Sequence, residues 1–170
     1  MKRKNIVLIG MPGAGKSTMG VVLAKVSGRS FIDADLLIQA EEKRLLSEII
    51  EQDGVDGFLA IEERVNASIQ AENAVIATGG SVIYGPGAME HLREIGIVVY
   101  LRLSYATIAS RLFNIKGRGV ALREGQTLKD LYEERCILYK KYAHIIVDEE
   151  GLGIEETVEK TLQALELLLE

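Results

Sequence analysis

Along the chain, short runs of mostly apolar, β-branched residues alternate with longer stretches in which apolar positions recur at helical spacing. Residues 6–9, 75–78, 97–101 and 145–147 read as buried strands bounded by turn-forming or polar residues. Residues 30–32 are a fainter strand candidate just ahead of two aspartates. Between them, helical patterns run over 16–27, 35–52, 57–72, 86–94, 104–113, 127–142 and 154–169, with Asp53-Gly54 breaking the second from the third. Pro86 sits where a first-turn proline belongs, and Ser104 and Thr127 are N-cap candidates. Strands alternating with helices in this way predict an α/β fold, a parallel sheet covered by helices on both faces. No repeat, low-complexity segment or linker interrupts the pattern, so the 170 residues read as one domain.

Composition narrows the function classes. Apolar residues make up 48% and charged residues 26%, the balance of a soluble globular chain. The formal net charge of −5, with no long basic run, argues against a nucleic-acid partner, which is bound through clustered Lys and Arg. The apolar run after Lys2-Arg3-Lys4 ends at Gly10, too short for a secretory signal, and no stretch approaches the ~20 apolar residues of a membrane span. Cys136 is the sole cysteine, which precludes an internal disulfide and fits a cytoplasmic location. His91 and His144 have no metal-ligand spacing. No apolar helix face is left over in the pattern, and the simplest expectation is a monomer.

The chemistry starts at Gly10-Met11-Pro12-Gly13-Ala14-Gly15-Lys16-Ser17, a complete G-x-x-x-x-G-K-[ST] P-loop between the first strand and the first helix. The glycines let successive backbone N–H groups of Gly13, Ala14, Gly15, Lys16, Ser17 and Thr18 converge on phosphate oxygens, and the helix N-terminus adds partial positive charge. Lys16 is placed to reach the β- and γ-phosphates, and the Ser17 hydroxyl to ligate Mg²⁺. The chain is therefore expected to bind a nucleoside triphosphate. Among P-loop classes, a GTPase is disfavoured because no Asn-Lys-x-Asp occurs. An ATPase of a larger machine is disfavoured because the third strand ends in Gly79-Gly80-Ser81 rather than in a Walker B acid. A small-molecule kinase remains. Residues 114–126 hold three glycines and three cations without a clear period; this is either a solvated loop or, in a P-loop kinase, a lid that keeps water from the γ-phosphate.

At this point the chain resembles the shikimate kinase family over nearly its whole length. The family's P-loop continuation appears as Lys16-Ser17-Thr18-x-Gly20-x-x-Leu23-Ala24, and its F-x-D-x-D-x-x-I as Phe31-Ile32-Asp33-Ala34-Asp35-x-x-Ile38. Ala77-Thr78-Gly79-Gly80 is similar to its A-T-G-G-G, Val98-Val99-Tyr100-Leu101 to its fourth strand, and Arg111, Arg118 and Glu134-Arg135-x-x-x-Tyr139 to its lid and post-lid signatures. The resemblance implies a P-loop kinase fold of the nucleoside-monophosphate-kinase type, a five-stranded parallel sheet with a lid over the nucleotide and acceptor-binding helices at about 35–72. It implies ATP-dependent phosphorylation of shikimate to shikimate 3-phosphate, a step of aromatic amino acid biosynthesis, with ATP as co-substrate and Mg²⁺. By the same resemblance Asp33 reaches the Mg²⁺ shell through water and Asp35 accepts a hydrogen bond from the acceptor hydroxyl. Gly79 and Gly80 offer backbone donors to the substrate, Arg118 meets the transferring phosphoryl group, Arg111 lies near the nucleotide, and Arg135 grips the substrate carboxylate. An Asp-x-Asp at a strand end also serves as an ordinary N-cap and turn, and Arg111 also reads as an exposed helix arginine.

The chain departs from the family pattern on the acceptor side. The usual G-E-x-x-F-R-x-x-E is Gly54-Val55-Asp56-Gly57-Phe58-Leu59-Ala60-Ile61-Glu62, so Leu59 replaces the arginine expected to share the carboxylate with Arg135, and Val55 its glutamate. Ser81 replaces the third glycine, and Arg118-Gly119-Val120-Ala121 replaces the lid's Arg-Pro-Leu-Leu. Arg123 is a second lid cation. A same-fold kinase for another small hydroxy acid or polyol, and a non-catalytic ATP-binding relative, stand as alternatives to a shikimate kinase.

Overall fold

A computed structural model describes residues 4–113 and 122–169. Five strands, β1 (Asn5–Ile9), β2 (Ser30–Asp33), β3 (Ala74–Ala77), β4 (Gly96–Arg102) and β5 (Ile145–Asp148), form one parallel sheet in the order β2-β3-β1-β4-β5. The apolar runs of β1, β3 and β4 are buried on both faces, which is why they carry no alternation. The edge strands β2 and β5 are partly exposed, and β5 alternates strictly between buried and exposed positions. The expected α/β sheet and its strand count are therefore those observed.

The connecting helices are α1 (Lys16–Ser27), α2 (Ala34–Glu42), α3 (Leu46–Ala67), α4 (Pro86–Ile95), α5 (Tyr105–Phe113), α6 (Leu128–Tyr142) and α7 (Ile154–Leu169). A short 3₁₀ turn covers Val82–Tyr84. Pro86 opens α4, and Thr127 accepts a hydrogen bond from Asp130 N while Asp130 accepts one from Thr127 N, closing a capping box on α6. Ser104 Oγ likewise accepts from Thr107 N at the start of α5.

The region 35–72 differs from expectation. The first helix ends at Glu42, where Lys43 takes a left-handed φ of 54°, and a new helix starts at Leu46. Arg44 holds this turn: its guanidinium pairs with Glu42 and with Asp53 one helix further on. The expected break at Gly54 is observed: its φ of 75° and ψ of 177° are not helical, and α3 is two helical segments joined at this kink. The helix stops at Ala67, and Asn73 turns the chain into β3 with φ 55°.

The main core lies around β1, β3 and β4, with Val7, Leu8, Ile9, Ile76, Val98 and Val99 essentially inaccessible. A separate small cluster of Ile38, Ile49, Phe58 and Val65 ties α2 to α3. Val55 and Leu59 pack against it. The pair that departs from the family motif thus stands at i, i+4 on one helical face as an apolar contact, where the family pattern has two charges. Among the described residues no helix is long and apolar enough to cross a membrane.

Candidate active site

Parallel strands deliver their carboxyl ends to one edge of the sheet, and the candidate residues follow directly on them: the P-loop after β1, Asp33 and Asp35 after β2, Thr78 to Ser81 after β3, Glu149 after β5. The P-loop wraps the start of α1. Gly15 has a left-handed φ of 82°, and Ala14 N bonds to Met11 O at 3.1 Å. Lys16 is buried and donates from Nζ to Gly10 O at 2.7 Å and to Met11 O at 2.9 Å, which fixes the ammonium over the inside of the loop. Ser17 and Thr18 complete the helix N-terminus.

Asp33 has two roles in the local structure. Oδ1 caps α2 by accepting from Asp35 N at 3.0 Å, and Oδ2 accepts from Ser17 Oγ at 2.8 Å. The N-cap reading and the metal-side reading of this aspartate are thus both compatible with one geometry. Two hard oxygen donors beside a phosphate-binding loop match the preference of Mg²⁺ for few protein ligands plus phosphate and water.

A cavity of about 260 Å³ joins these groups. The P-loop, Asp33 and Asp35 line one side, and Leu46, Phe58, Glu62 and Thr78 to Ser81 the other. Gly79 runs between two acids: a Cβ there would lie 2.7 Å from both Asp35 Oδ1 and Glu62 Oε2. At Gly80 a Cβ would lie 2.6 Å from Pro12 and 3.0 Å from Arg135 Nη1. At Gly80 the rigid Pro12 ring leaves no room for a side chain, and at Gly79 a side chain would displace the two carboxylates. Arg135 is 1% exposed, beneath Gly80 and 5.5 Å from the Tyr84 ring centroid. Tyr139, one turn on, donates to Gly80 O at 2.6 Å.

Glu62, which the sequence offered only as the last letter of a motif, lies at the centre of this wall. Burial pushes its carboxyl up to about 7, and Ser81 opposes that rise by donating to Oε1 at 2.6 Å. Oε2 is buried with no hydrogen-bond partner among the described residues. A separate small cleft is lined by Val55, Leu59, Tyr84 and Arg123 among others, and Arg123 pairs with Asp56 at 2.9 Å on the surface.

On the other flank of the P-loop a second cavity of about 240 Å³ is bounded by Ala14, Gly15, Thr18, Arg111 and Glu149, and by residues 152–154 and Thr157. Arg111 is an exposed residue of α5 whose guanidinium nevertheless donates to Gly13 O at 2.9 Å and so clasps the loop. Arg118, with the rest of 114–121, lies outside the described residues. The structure therefore brings together Gly13, Gly15, Lys16, Ser17, Thr18, Asp33, Asp35, Gly79 and Gly80 around one cavity, with Arg135 buried behind Gly80 and with Ala14 and Arg111 on the second cavity.

A P-loop on the central strand of this sheet, with acids and buried arginine facing it, defines a P-loop kinase. The model of the family described as shikimate kinase matches residues 12–166. A shikimate kinase of Thermodesulfovibrio yellowstonii is 37% identical over 168 residues, covering 97% of this chain and 96% of that protein. One from Clostridium botulinum is 39% identical over 159 residues, covering 93% and 94%. Among solved structures, the shikimate kinase of Acinetobacter baumannii in complex with shikimate superposes with a TM-score of 0.87 at 33% identity, covering 96% of this chain and 93% of that one. The chain belongs to the shikimate kinase family, phosphotransferases with an alcohol group as acceptor.

Proposed function

We propose that this protein transfers the γ-phosphoryl group of ATP to the 3-hydroxyl of shikimate, giving shikimate 3-phosphate and ADP. The observation that carries the reading is the cavity of about 260 Å³ in which P-loop residues and Asp35 share one space with Glu62 and the Gly79-Gly80 backbone. Phosphoryl transfer needs positioning and charge neutralisation more than covalent chemistry, and the residues divide along those lines. Backbone N–H groups from Gly13 to Thr18, with Lys16, hold the phosphates. Asp35 accepts the hydrogen bond of the acceptor hydroxyl and so aligns it for in-line attack, taking its proton as the O–P bond forms. Arg135 meets the carboxylate of the acceptor acid through a planar fork that lysine does not reproduce. Arg111 sits with the nucleotide, and Arg118 is the lid cation for the transferring group. Ser17 and Asp33 are the residues that would hold Mg²⁺, which supplies neutralisation of phosphate charge when bound.

Leu59 bears on affinity rather than on chemistry. The acceptor keeps one buried guanidinium, Arg135, where the family pattern has two, and a lost charged hydrogen bond costs about 1.5–3 kcal/mol. A weaker hold on shikimate with unimpaired ATP binding is the consequence. The reading includes a cytoplasmic location and a monomeric protein.

A coupled ADP-release assay with ATP, Mg²⁺ and shikimate tests the reading. Turnover that depends on shikimate supports it. ADP release unaffected by millimolar shikimate, or released by another hydroxy acid instead, overturns it.

A further inference from the structure

Tyr84 ends the short turn that follows the glycine pair. In Val82-Ile83-Tyr84 the first two side chains are buried in the main core, and Tyr84 N donates to Ser81 O at 3.1 Å. That leaves Tyr84, half-buried, to meet α6. There it touches two neighbouring residues in different ways. Its hydroxyl donates to Glu134 Oε1 at 2.6 Å, and its ring lies under the Arg135 guanidinium, with Cζ 5.5 Å from the centroid. At that separation the negative face of an aromatic ring attracts a guanidinium. Burial pushes the Tyr84 hydroxyl up and Glu134 adds to the rise, while Arg135 opposes it, so the arginine and this tyrosine act on one another.

The ring therefore bears on the one buried guanidinium of the acceptor side. Arg135 Nη1 lies 3.0 Å from where a Cβ on Gly80 would stand, and Tyr139, from the next turn of α6, donates to Gly80 O at 2.6 Å. The Gly80 backbone and the Tyr84 ring are thus two uncharged neighbours of the same side chain. A guanidinium recognises a carboxylate through two N–H donors in one plane, so the orientation of that plane matters as much as its charge. Leu59 stands where the family motif has a second arginine, and it lines the same small cleft as Tyr84. In this chain a single fork has to be presented correctly without a second one to share the carboxylate.

We propose that Tyr84 is a positioning residue for the acceptor: its ring face, tethered through its hydroxyl to Glu134, holds the Arg135 guanidinium in the orientation that meets the acceptor carboxylate. This rests on the assignment of that carboxylate to Arg135 under the proposed function. Tyr84 does not itself touch the reacting atoms.

The test measures KM for shikimate and for ATP in Tyr84→Leu and Tyr84→Phe, each made in the wild-type and in the Arg135→Ala background. KM does not depend on the fraction of enzyme that is folded, so lost stability does not mimic the effect. Tyr84→Leu keeps apolar bulk and loses the ring face. It is expected to raise shikimate KM roughly three- to thirtyfold and to leave ATP KM within about twofold. Tyr84→Phe keeps the face and loses only the bond to the exposed Glu134, so its shikimate KM stays within about threefold of wild type. In the Arg135→Ala background Tyr84→Leu shifts shikimate KM by less than about twofold, because no guanidinium is left to orient. A shikimate KM unmoved by Tyr84→Leu, an equal rise for ATP, or the same rise without Arg135 overturns the proposal. A wild-type shikimate KM in Arg135→Ala alone overturns instead the assignment of Arg135 to the carboxylate, and this one with it. Absence of shikimate-dependent turnover in the wild type overturns the reaction itself.

Discussion

Ser81 Oγ donates a 2.6 Å hydrogen bond to Glu62 Oε1, and both residues are buried in the wall of the cavity that the P-loop and Asp35 also line. Ser81 stands where the family motif has its third glycine, and Glu62 one turn beyond the helical position where Leu59 replaces arginine. A hydroxyl thus steadies a carboxylate whose neighbourhood has one cation fewer. The remaining charges on Glu62 are mixed: Asp35 pushes its carboxyl further up, and Arg135 and Lys16 pull it down, but burial outweighs all of them.

This has a consequence for stability. An unfolded glutamate ionises near 4.5, whereas Glu62 in the fold holds its proton to about 7. Between those values the folded state binds more protons than the unfolded state, so the contribution is fully present below 4.5 and is lost as pH rises through 7. The loss is on the order of 3 kcal/mol. Denaturant unfolding at pH 5 and pH 8 checks it: the wild type is expected to lose that much more than Glu62→Gln, which carries no titrating group there. Identical pH dependence of the two proteins would contradict the assignment.

On the proposed reading, Asp35→Asn removes the hydrogen-bond acceptor for the substrate hydroxyl and keeps the shape of the α2 start. Its turnover is expected to fall by roughly 10²–10⁴-fold. Equilibrium binding of ATP should stay within about threefold of wild type, because Asp35 lies on the acceptor side of the loop. A comparable loss of ATP affinity would place this aspartate with the nucleotide instead.

Leu59→Arg restores a cation beside the cleft that Tyr84 and Arg123 also line. Shikimate KM is expected to drop by roughly tenfold or more with ATP KM unchanged. The apolar contact with Val55 and the Phe58 cluster is lost, so the melting temperature should fall as well. An unchanged shikimate KM would show that another group, with Arg123 the nearest cation on that cleft, already does the work.

Arg135→Lys and Arg135→Ala separate charge from fork geometry. Both should raise shikimate KM, alanine by roughly 10²-fold and lysine by less, with ATP KM little changed. Equal effects on both substrates would point to a structural role for this buried side chain, which also packs over Tyr84.

Much of this was legible in the sequence, for a physical reason. The P-loop, Asp33-Ala34-Asp35 and Thr78-Gly79-Gly80 sit at strand ends, and their chemistry is local to a few consecutive residues. The inner strands were legible because packing covers both faces of a parallel sheet and makes them continuously apolar. The turn at Lys43 was not, since it is held by Arg44 reaching to Asp53 through a fold that helical periodicity does not encode. Glu62 and Glu149 were missed as site residues because their burial and raised acidity range are properties of packing. A signal for Glu149 did exist: counted in twos from Ile145, it falls on the inward face of β5.

The central claim is that the phosphoryl group goes to shikimate, and it is tested most directly by following the label from ATP carrying ¹⁸O in its γ-phosphoryl group. Mass spectrometry of the reaction with Mg²⁺ and shikimate is expected to find the label in shikimate 3-phosphate, formed in step with ADP. Label found only in inorganic phosphate, or left in ATP while shikimate is saturating, would contradict it.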